Sequence, residues 1–297
     1  MKGISIIIPC YNCENYINEC IESIKNFGIK NKYEIILIED CSSDKTKEVL
    51  GKVNDKNIRI YQNKQNKGVQ YSRNKGLKLA QYDYVMTIDS DDKLNAEMYK
   101  NEEKTFIDKA IDALEKNENI AFVQGIWKMF WEFEGNTITT YPLNEKLIVN
   151  KHHVQTSIIH RKSDNVFYDE EIKKWQDWSF AIALLNKRYK EKKKNEIFFI
   201  EEPYYLYRIY SSNKRISSID ISENAMIEKT VTKNQEIFYK YFPNNDLKEI
   251  VKKVYDAIPS KLESLLYVAN NNLEIALQMM KEREYYVASP TEPHNFP

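Results

Sequence analysis

The sequence predicts an α/β fold in which a mainly parallel sheet has helices on both faces and is followed by a helical C-terminal appendage. Short β-branched runs alternate with helical patterns over residues 4–88, which is typical of parallel sheets with crossover helices. After residue 222 the apolar residues recur only at helical intervals. The chain has 297 residues with 44 basic and 44 acidic side chains, so no overall charge attracts it to nucleic acid.

The first half of the sheet is predicted from four strands and their crossover connections. Pro9 is expected to end the first strand, Gly28 to close the first helix, and Ser43 or Asp44 to cap the second. Because right-handed crossovers bring parallel strands out at one edge, the loops that follow them should converge there. The predicted strands are residues 4–8, 34–38, 58–61 and 84–88, and the predicted helices include residues 15–27 and 69–80.

The second half of the predicted domain is less regular. Residues 125–133 are rich in aromatic side chains, including Trp127, and indicate a strand with an aromatic wall, although ordinary core packing explains the pattern equally well. An amphipathic helix is predicted at residues 174–188. The other predicted elements are a helix at 97–116 and strands at 120–124, 156–160, 197–200 and 204–209.

These patterns divide the chain into three predicted parts. Residues 1–221 form the sheet domain, residues 222–288 form a helical region, and residues 289–297, with three prolines, are expected to be a disordered tail. Predicted helices cover residues 224–241, 247–268 and 273–286. This region either packs on the sheet domain or forms a surface for oligomerisation or for a partner.

Localisation and redox state follow from the apolar runs and the cysteines. No run approaches the roughly 20 residues that cross a bilayer, and no signal peptide is recognised, so a cytoplasmic protein is expected. The basic run at residues 187–194 indicates a solvated helix end or, alternatively, peripheral binding at the inner face of the membrane. The four cysteines are expected to be reduced, although Cys10 and Cys13 have the spacing of a redox pair.

An acidic cluster follows the fourth predicted strand. Asp89, Asp91 and Asp92 lie within four positions, and strand alternation would place Asp89 and Asp91 on one side with Asp92 opening the next turn. Carboxylates at the carboxyl end of a strand offer hard oxygen ligands to a divalent cation. The alternative is an acidic turn that caps the next helix.

Four short motifs occur in the order and spacing of a known enzyme family. They resemble those of the family 2 glycosyltransferases over residues 3–95, and the resemblance extends more weakly to about residue 218. It implies a GT-A fold and inverting transfer of a sugar from a nucleoside diphosphate sugar, with a UDP-sugar as the favoured donor, to a glycan, lipid-linked or protein acceptor. The motifs are Pro9-Cys10-Tyr11-Asn12, Glu39-Asp40-Cys41-Ser42-Ser43-Asp44, Asn66-Lys67-Gly68 with Ser72-Arg73-Asn74-Lys75-Gly76-Leu77, and Asp89-Ser90-Asp91-Asp92.

The resemblance also implies roles for individual residues. Asp40 would accept a hydrogen bond from the uracil imide, and Arg73 would lie near the pyrophosphate. Asp91 and Asp92 would hold the ribose and a Mn²⁺ or Mg²⁺ ion, with Asp92 as the direct ligand. The remaining nucleotide-binding residues implied by the match are Pro9, Tyr11, Asn12, Asn66 and Gly68.

The family's catalytic base matches Asp177, which the resemblance implies takes the proton of the acceptor hydroxyl. The alternative role of Asp177 is a helix first-turn acid favoured by the helix dipole. Gln176 stands where the family usually has Glu, Tyr210 where many relatives have His, and Cys41 where Gly is usual. The departures at Gln176 and Tyr210 motivate a second hypothesis, a noncatalytic nucleotide-sugar-binding or scaffolding subunit of a glycan assembly complex. Candidate acceptor or donor-sugar contacts are Asp89, Trp127, Gln176, Trp178 and Arg208.

Overall fold

A computed structural model describes residues 1–132, 134–137, 143–150, 154–210, 221–257, 273–275 and 277–278. Within these ranges the strands form one sheet in the order β3-β2-β1-β4-β8-β6-β9-β5, and β7 pairs with β6. The strands are β1 Ile4–Cys10, β2 Tyr33–Glu39, β3 Ile58–Gln62, β4 Tyr84–Thr87, β5 Lys93–Leu94, β6 Ile120–Trp131, β7 Gly135–Thr137, β8 Ile159–Arg161 and β9 Glu196–Ile209.

The sheet has a parallel half and a mixed half. Strands β3, β2, β1 and β4 are parallel, as the alternating sequence pattern predicts. Strand β8 then runs antiparallel between β4 and β6, and β6 pairs in parallel with β9. The helices are α1 Ile17–Lys25, α2 Thr46–Gly51, α3 Val69–Leu79, α4 Phe106–Lys116, α5 Glu145–Val149, α6 Gln176–Lys190, α7 Glu223–Lys233, α8 Gln235–Tyr241 and α9 Leu247–Tyr255.

Both faces of the sheet are covered, which explains why β1 is apolar at almost every position. Ile6 and Ile8 belong to the core that includes α1 and α4, whereas Ile7 belongs to the core on the α3 and α6 side. A Cβ atom at Gly76 in α3 would lie 2.3 Å from the Ile7 Cγ2 atom. Glycine at this position therefore allows α3 to approach the sheet closely.

The C-terminal helices extend the core on the α6 side. Ile227, Val231 and Phe238 are fully buried and belong to the same cluster as Trp178 and Leu185 of α6. The described part of this region is therefore packed on the sheet domain, as one of the two sequence hypotheses expected. The boundary near residue 221 stays a prediction because residues 211–220 are outside the described ranges, as are the predicted tail and most of the helices predicted after residue 257.

Two element boundaries differ from the sequence expectation. Pro9 does not end β1, which continues to Cys10. The β4 ladder stops at the Ile7–Thr87 pair, so a residue without an N–H group is tolerated beyond it. The single helix predicted at residues 97–116 is interrupted, because Thr105 accepts a hydrogen bond from the Asp108 N–H and starts α4 with a capping box.

Other predicted elements merge or divide. The two strand patterns at 120–124 and 125–133 form the single strand β6, and those at 197–200 and 204–209 form β9 with an irregularity where it pairs with Gly125–Trp127. The helix predicted at 224–241 divides at Asn234 into α7 and α8. Among the residues described above, no helix combines the length and apolarity needed to cross a membrane.

Candidate active site

The loops after β1 and β2 are tied together at the carboxyl edge of the sheet. The Asn12 N–H donates to the Ser42 Oγ over 3.1 Å, and the Asn12 Oδ1 accepts from the Ser43 N–H over 2.9 Å. Cys41 has a φ of 60°, a left-handed conformation that explains why glycine is usual there. Tyr11 is 50% exposed and Asn12 is also exposed, whereas Pro9 is buried, so of these predicted residues Tyr11 and Asn12 are accessible at this edge.

Asp40 organises the loop that precedes α3. Its buried carboxylate accepts hydrogen bonds from Asn63 Nδ2, 2.7 Å away, from the Lys67 N–H and from the Gly68 N–H. Gly68 has a φ of 89°, which glycine adopts without strain, and Asn66 is exposed. Both oxygens of Asp40 are thus already used within the protein.

The neighbouring acid, Glu39, has a free acceptor. Its Oε1 accepts from the Ser42 N–H over 2.6 Å. Its Oε2 is buried and has no hydrogen-bond partner among the described residues, and the Lys47 Nζ lies 4.0 Å from it. A buried carboxylate oxygen without a donor is costly, but Glu39 is 0% exposed, so a ligand N–H group reaches this atom only by displacing the residues that cover it. The paired acids Glu39-Asp40 were visible in the sequence, but not which of them would be free.

Arg73 joins two acids that are far apart in the sequence. Its Nη2 lies 2.7 Å from the Asp89 Oδ1, and its Nη1 lies 3.2 Å from the Asp177 Oδ1. The guanidinium is 5.0 Å from the centre of the Tyr168 ring, and only 3% of the arginine is exposed. Three residues predicted from three separate motifs are therefore in direct contact.

Asp177 lies in the first turn of α6 and remains partly open. Trp175, at the helix N-cap position, has a left-handed φ of 61°, and the Gln176 Nε2 donates to the Lys173 carbonyl over 3.3 Å. The Asp177 side chain is 28% exposed. Burial raises the pKa of Asp177, the Arg73 charge opposes this, and the Asp89 charge adds to it.

Asp92 is a buried structural acid of the turn after β4. The strand ends at Thr87, and the Asp92 N–H donates to the Asp89 carbonyl over 3.1 Å, so strand alternation does not apply to the acids. One carboxylate oxygen of Asp92 accepts from the Arg208 N–H and the other from the Tyr205 hydroxyl, each over 2.8 Å. Asp92 is 2% exposed, and burial followed by the charges of the neighbouring acids raises its pKa.

Asp91 is the more available of the two acids. Its carbonyl accepts from the Arg208 Nε over 2.7 Å, whereas its carboxylate Oδ2 has only a long contact of 3.5 Å with the Tyr210 hydroxyl. Burial and then the Asp89 charge raise the pKa of Asp91 to about 6. A carboxylate that is crowded by a second acid gains from a nearby cation.

Arg208 supports this turn rather than facing a substrate. Only 2% of it is exposed, and its guanidinium forms an ion pair with Glu19. The Cζ atom lies 4.5 Å from the centre of the Phe130 ring, 4.8 Å from that of Trp131 and 5.0 Å from that of Tyr16. Its predicted role as a sugar contact is therefore replaced by a role in holding the Asp91 main chain.

Two tryptophans predicted as sugar contacts are in the core. Trp178 is 1% exposed, and its Nε1 donates to the Ile148 carbonyl over 2.7 Å. Trp127 is 7% exposed, donates to the Ser157 Oγ, and stacks on Tyr205 with ring centres 4.8 Å apart. The aromatic wall exists, but these two members of it are covered by protein.

Tyr205 links the carboxylate of Asp92 to the main chain of Asp89, and no sequence pattern identified it. Its hydroxyl donates to Asp92 and accepts from the Asp89 N–H over 3.3 Å. The site thus contains one partly open base candidate, Asp177, and one available acid, Asp91, with a buried arginine and a buried tyrosine between them.

The four cysteines are free thiols, and burial raises the pKa of Cys10.

The donor set suits a cation that is shared with a ligand. Within the ranges given above, no group of three His, Cys, Asp or Glu side chains is arranged to hold a metal ion by itself. Mg²⁺ and similar ions are commonly bound by one or two carboxylates together with substrate phosphates. Asp91 fits that pattern, because its carboxylate is available and its pKa is raised by a neighbouring acid.

Comparisons with known proteins show which family and fold the chain resembles. Residues 5–234 match the profile described as glycosyl transferase family 2. An uncharacterized glycosyltransferase of Haemophilus influenzae is 30% identical over 269 residues, which are 86% of this chain and 93% of that protein. The poly(ribitol-phosphate) β-N-acetylglucosaminyltransferase TarS of Staphylococcus aureus is 27% identical over 236 residues, which are 77% of this chain and 39% of TarS.

The fold is shared with a solved structure. The crystal structure of S. aureus TarS residues 1–349 in complex with UDP-GlcNAc matches with a TM-score of 0.64 and 21% identity, covering 86% of this chain and 72% of that chain. The predicted α/β fold with C-terminal helices is thereby confirmed. This chain nevertheless matches only about two fifths of the full TarS length, 39%.

Proposed function

Because the chain belongs to glycosyl transferase family 2 and is a glycosyltransferase, we propose that it transfers a sugar from a UDP-sugar to an acceptor hydroxyl with inversion. The acceptor is a hydroxyl of a glycan or polyol-phosphate chain, either free or carried on a lipid or protein. The polymer named for TarS supports this class of acceptor. The protein therefore acts in the biosynthesis of a polysaccharide or related polymer, at the cytoplasmic side of a membrane to which it binds peripherally.

The observation that carries the proposal is the Asp89–Arg73–Asp177 bridge. It joins the acidic turn after β4, where the diphosphate is expected, to a partly open carboxylate in the first turn of α6. A transferase needs a site that stabilises the negative charge of its leaving group, and this site must lie close to a base for its acceptor. The bridge supports both requirements with residues from separate parts of the chain.

Asp177 is proposed as the general base. Its carboxylate takes the proton of the acceptor hydroxyl while that oxygen forms a bond with the anomeric carbon. The bond between the anomeric carbon and the diphosphate oxygen breaks on the opposite face, and the electron pair leaves with UDP. Attack opposite the leaving group inverts the anomeric configuration.

Asp91 is proposed as the direct ligand of a Mn²⁺ or Mg²⁺ ion. The sequence favoured Asp92, but both carboxylate oxygens of Asp92 are occupied by Arg208 and Tyr205. A bound cation would stabilise the negative charge that develops on the departing diphosphate. Asp92 and Arg208 instead hold the Asp91 main chain in place.

The nucleoside is proposed to bind across the ends of β1 and β2. Pro9, Tyr11 and Asn12 line this edge, and Tyr11 is exposed enough to contact a base or ribose. Glu39 offers the free oxygen for an imide N–H, whereas Asp40 supports the Gly68 loop. Asp40 therefore contributes to nucleotide binding through the loop it holds.

Transfer and binding are tested separately. We expect UDP-GlcNAc or another UDP-sugar with Mn²⁺ to raise the melting temperature, since a ligand of the native state stabilises it. Asp177→Asn should keep this shift and lose transfer by about 10²- to 10⁴-fold. Glu171→Gln, a change at an exposed acid near α6, serves as the matched control and should keep activity. Retained turnover in Asp177→Asn would reject Asp177 as the base.

A further inference from the structure

Trp131 is an exposed aromatic residue beside the acidic turn. It lies at the end of β6, opposite Ile209 of β9, and 61% of it is exposed. Trp127, four residues earlier on the same strand, is 7% exposed. Single exposed aromatic residues are common, but this one lies beside the proposed cation site, so its open area is accessible to a ligand bound there.

The indole is held in position from behind. The Arg208 guanidinium lies 4.8 Å from the centre of the Trp131 ring, and the Nε of the same guanidinium donates to the Asp91 carbonyl over 2.7 Å. A single side chain therefore separates the indole from the main chain of the proposed cation ligand. With Arg208 over one face of the ring, the exposed area is on the opposite face and the edges.

The backbone of Trp131 is also unusual. Its φ is 90°, a conformation that is rare for a bulky residue and is associated with functional sites when the surrounding structure maintains it. Here the β6–β9 ladder and the Arg208 contact maintain it. The ladder holds the backbone and the Arg208 contact restrains the indole, which lowers the entropy lost when a flat ligand binds.

We propose that the open face of Trp131 is a subsite for a sugar ring of the acceptor, next to the transferred sugar. A pyranose ring presents C–H groups on one face and hydroxyls at its rim, which matches an indole face surrounded by polar groups. An open-chain polyol has no such face. The inference rests on the proposed function and specifies a ring, rather than a polyol unit, as the acceptor group bound here.

The charges near Trp131 favour a sugar over an anionic membrane. Glu19 forms ion pairs with both Lys93 and Arg208. Asp91 and Asp92 lie in the acidic turn that Arg208 contacts, so these three carboxylates outnumber the two cations. Anionic lipid is attracted by unneutralised lysine and arginine side chains. A neutral ligand with hydroxyl groups is compatible with this balance.

The test follows the indole N–H signal of Trp131 by NMR. The signal is assigned from its loss in Trp131→Phe, and the wild-type protein is titrated with methyl β-N-acetylglucosaminide, with ribitol 5-phosphate, and with vesicles containing anionic phospholipid, each in the presence of UDP and Mg²⁺. We expect the glycoside to shift this signal and the other two probes to leave it unchanged. A signal that moves only with ribitol 5-phosphate or only with vesicles, or with none of the three, would overturn the proposal.

Two variants make the binding measurement quantitative. Trp131→Ala should weaken glycoside binding by roughly 5- to 10-fold, the size of one aromatic contact, and Trp131→Tyr should recover most of it. Phe198→Ala, an exposed aromatic residue on β9 at 42% exposure, is the matched control and should have no effect. Equal effects of Trp131→Ala and Phe198→Ala would also overturn the proposal.

UDP binding, measured by thermal shift, separates this proposal from the proposed function. Trp131→Ala should keep the UDP-induced shift. If wild-type protein bound neither UDP nor a UDP-sugar, the proposed function would be rejected, whereas a lost response to the glycoside in a protein that binds UDP would reject only the Trp131 subsite.

Discussion

Replacing Arg73 by glutamine removes the buried cation between Asp89 and Asp177 while keeping a polar side chain of similar length. Two carboxylates, 32% and 28% exposed, then lose their shared partner. Breaking a fully buried pair costs about 3–5 kcal/mol and breaking an exposed pair up to about 1 kcal/mol. For this intermediate exposure we expect a loss of about 2–3 kcal/mol in the free energy of unfolding, or roughly 5–10 °C in melting temperature.

The pH dependence of transfer gives the more specific measurement. Burial already raises the pKa of Asp177, and Arg73 opposes that rise. Without Arg73 the pKa of Asp177 should rise further, so a larger fraction of the base is protonated at a given pH. We expect the acid limb of the rate profile in Arg73→Gln to move to higher pH, so that activity is lost most on the acid side and partly recovered as the pH rises.

The loss of stability in Arg73→Gln should also depend on pH and should be larger at higher pH. A carboxyl group whose pKa is raised in the folded state contributes stability at low pH, which is lost as the pH rises through the folded pKa. The difference in melting temperature between Arg73→Gln and wild type should therefore be smaller at about pH 5 than at about pH 8. Differential scanning calorimetry at both pH values measures it.

Arg188→Gln is the matched control. Arg188 is buried and pairs with Asp164 over 3.2 Å, with side-chain exposures of 2% and 1%. It should lose about 3–5 kcal/mol of stability, more than Arg73→Gln, and leave the acid limb unchanged. An acid limb that does not shift in Arg73→Gln, or that shifts equally in both variants, would refute the role of Arg73 in limiting the pKa of Asp177. A large rise in the KM for donor alone would favour the pyrophosphate contact implied by the family resemblance.

Three further changes test the surrounding residues. Asp91→Asn should raise the melting temperature of metal-free protein by roughly 2–6 °C at about pH 7.5, because the pKa of Asp91 is raised to about 6, and should remove the Mn²⁺-induced shift; a retained shift would contradict the assignment. Glu39→Gln should weaken UDP binding about 10-fold by calorimetry, whereas Asp40→Asn should mainly lower stability by about 1–3 kcal/mol, and the reverse result would restore Asp40 as the base-binding acid. Arg208→Lys should reduce Mn²⁺-dependent transfer at least about 10-fold, because lysine cannot both stack among three rings and hold the Asp91 carbonyl; unchanged kinetics would show that this support is unnecessary.

The first half of the fold was predictable because its signals are local. The β-branched runs that became β1 and β2 are buried on both faces, and the polar residues after them emerge at one edge. Asp40, Arg73 and the acidic turn could therefore be placed near one another. The contact between Arg73 and Asp177 spans 104 residues and depends on how α6 packs beside α3, which no local pattern specifies.

The incorrect sugar contacts have local explanations. Trp178 belongs to the same apolar stripe of α6 as Leu185, so helical periodicity already directed it to the core, one position after the partly open Asp177. Asp92 was assigned to the cation from the family resemblance, which does not specify how the turn after β4 directs each acid. The strand ends at Thr87, and the turn that follows directs Asp92 inward.

The packing of α7 and α8 on α6 has a practical consequence for α6, the helix that carries the proposed base Asp177. Thr230 of α7 donates to the Ser179 Oγ over 3.0 Å, and the Ile237 N–H of α8 donates to the Asn186 Oδ1 over 2.8 Å. A fragment that ended before α7, at about residue 221, would lose both contacts and expose the side of α6 that packs on α7 and α8. We therefore expect that the smallest fragment suitable for enzymology runs past Tyr241, although the proposed site residues all precede α7.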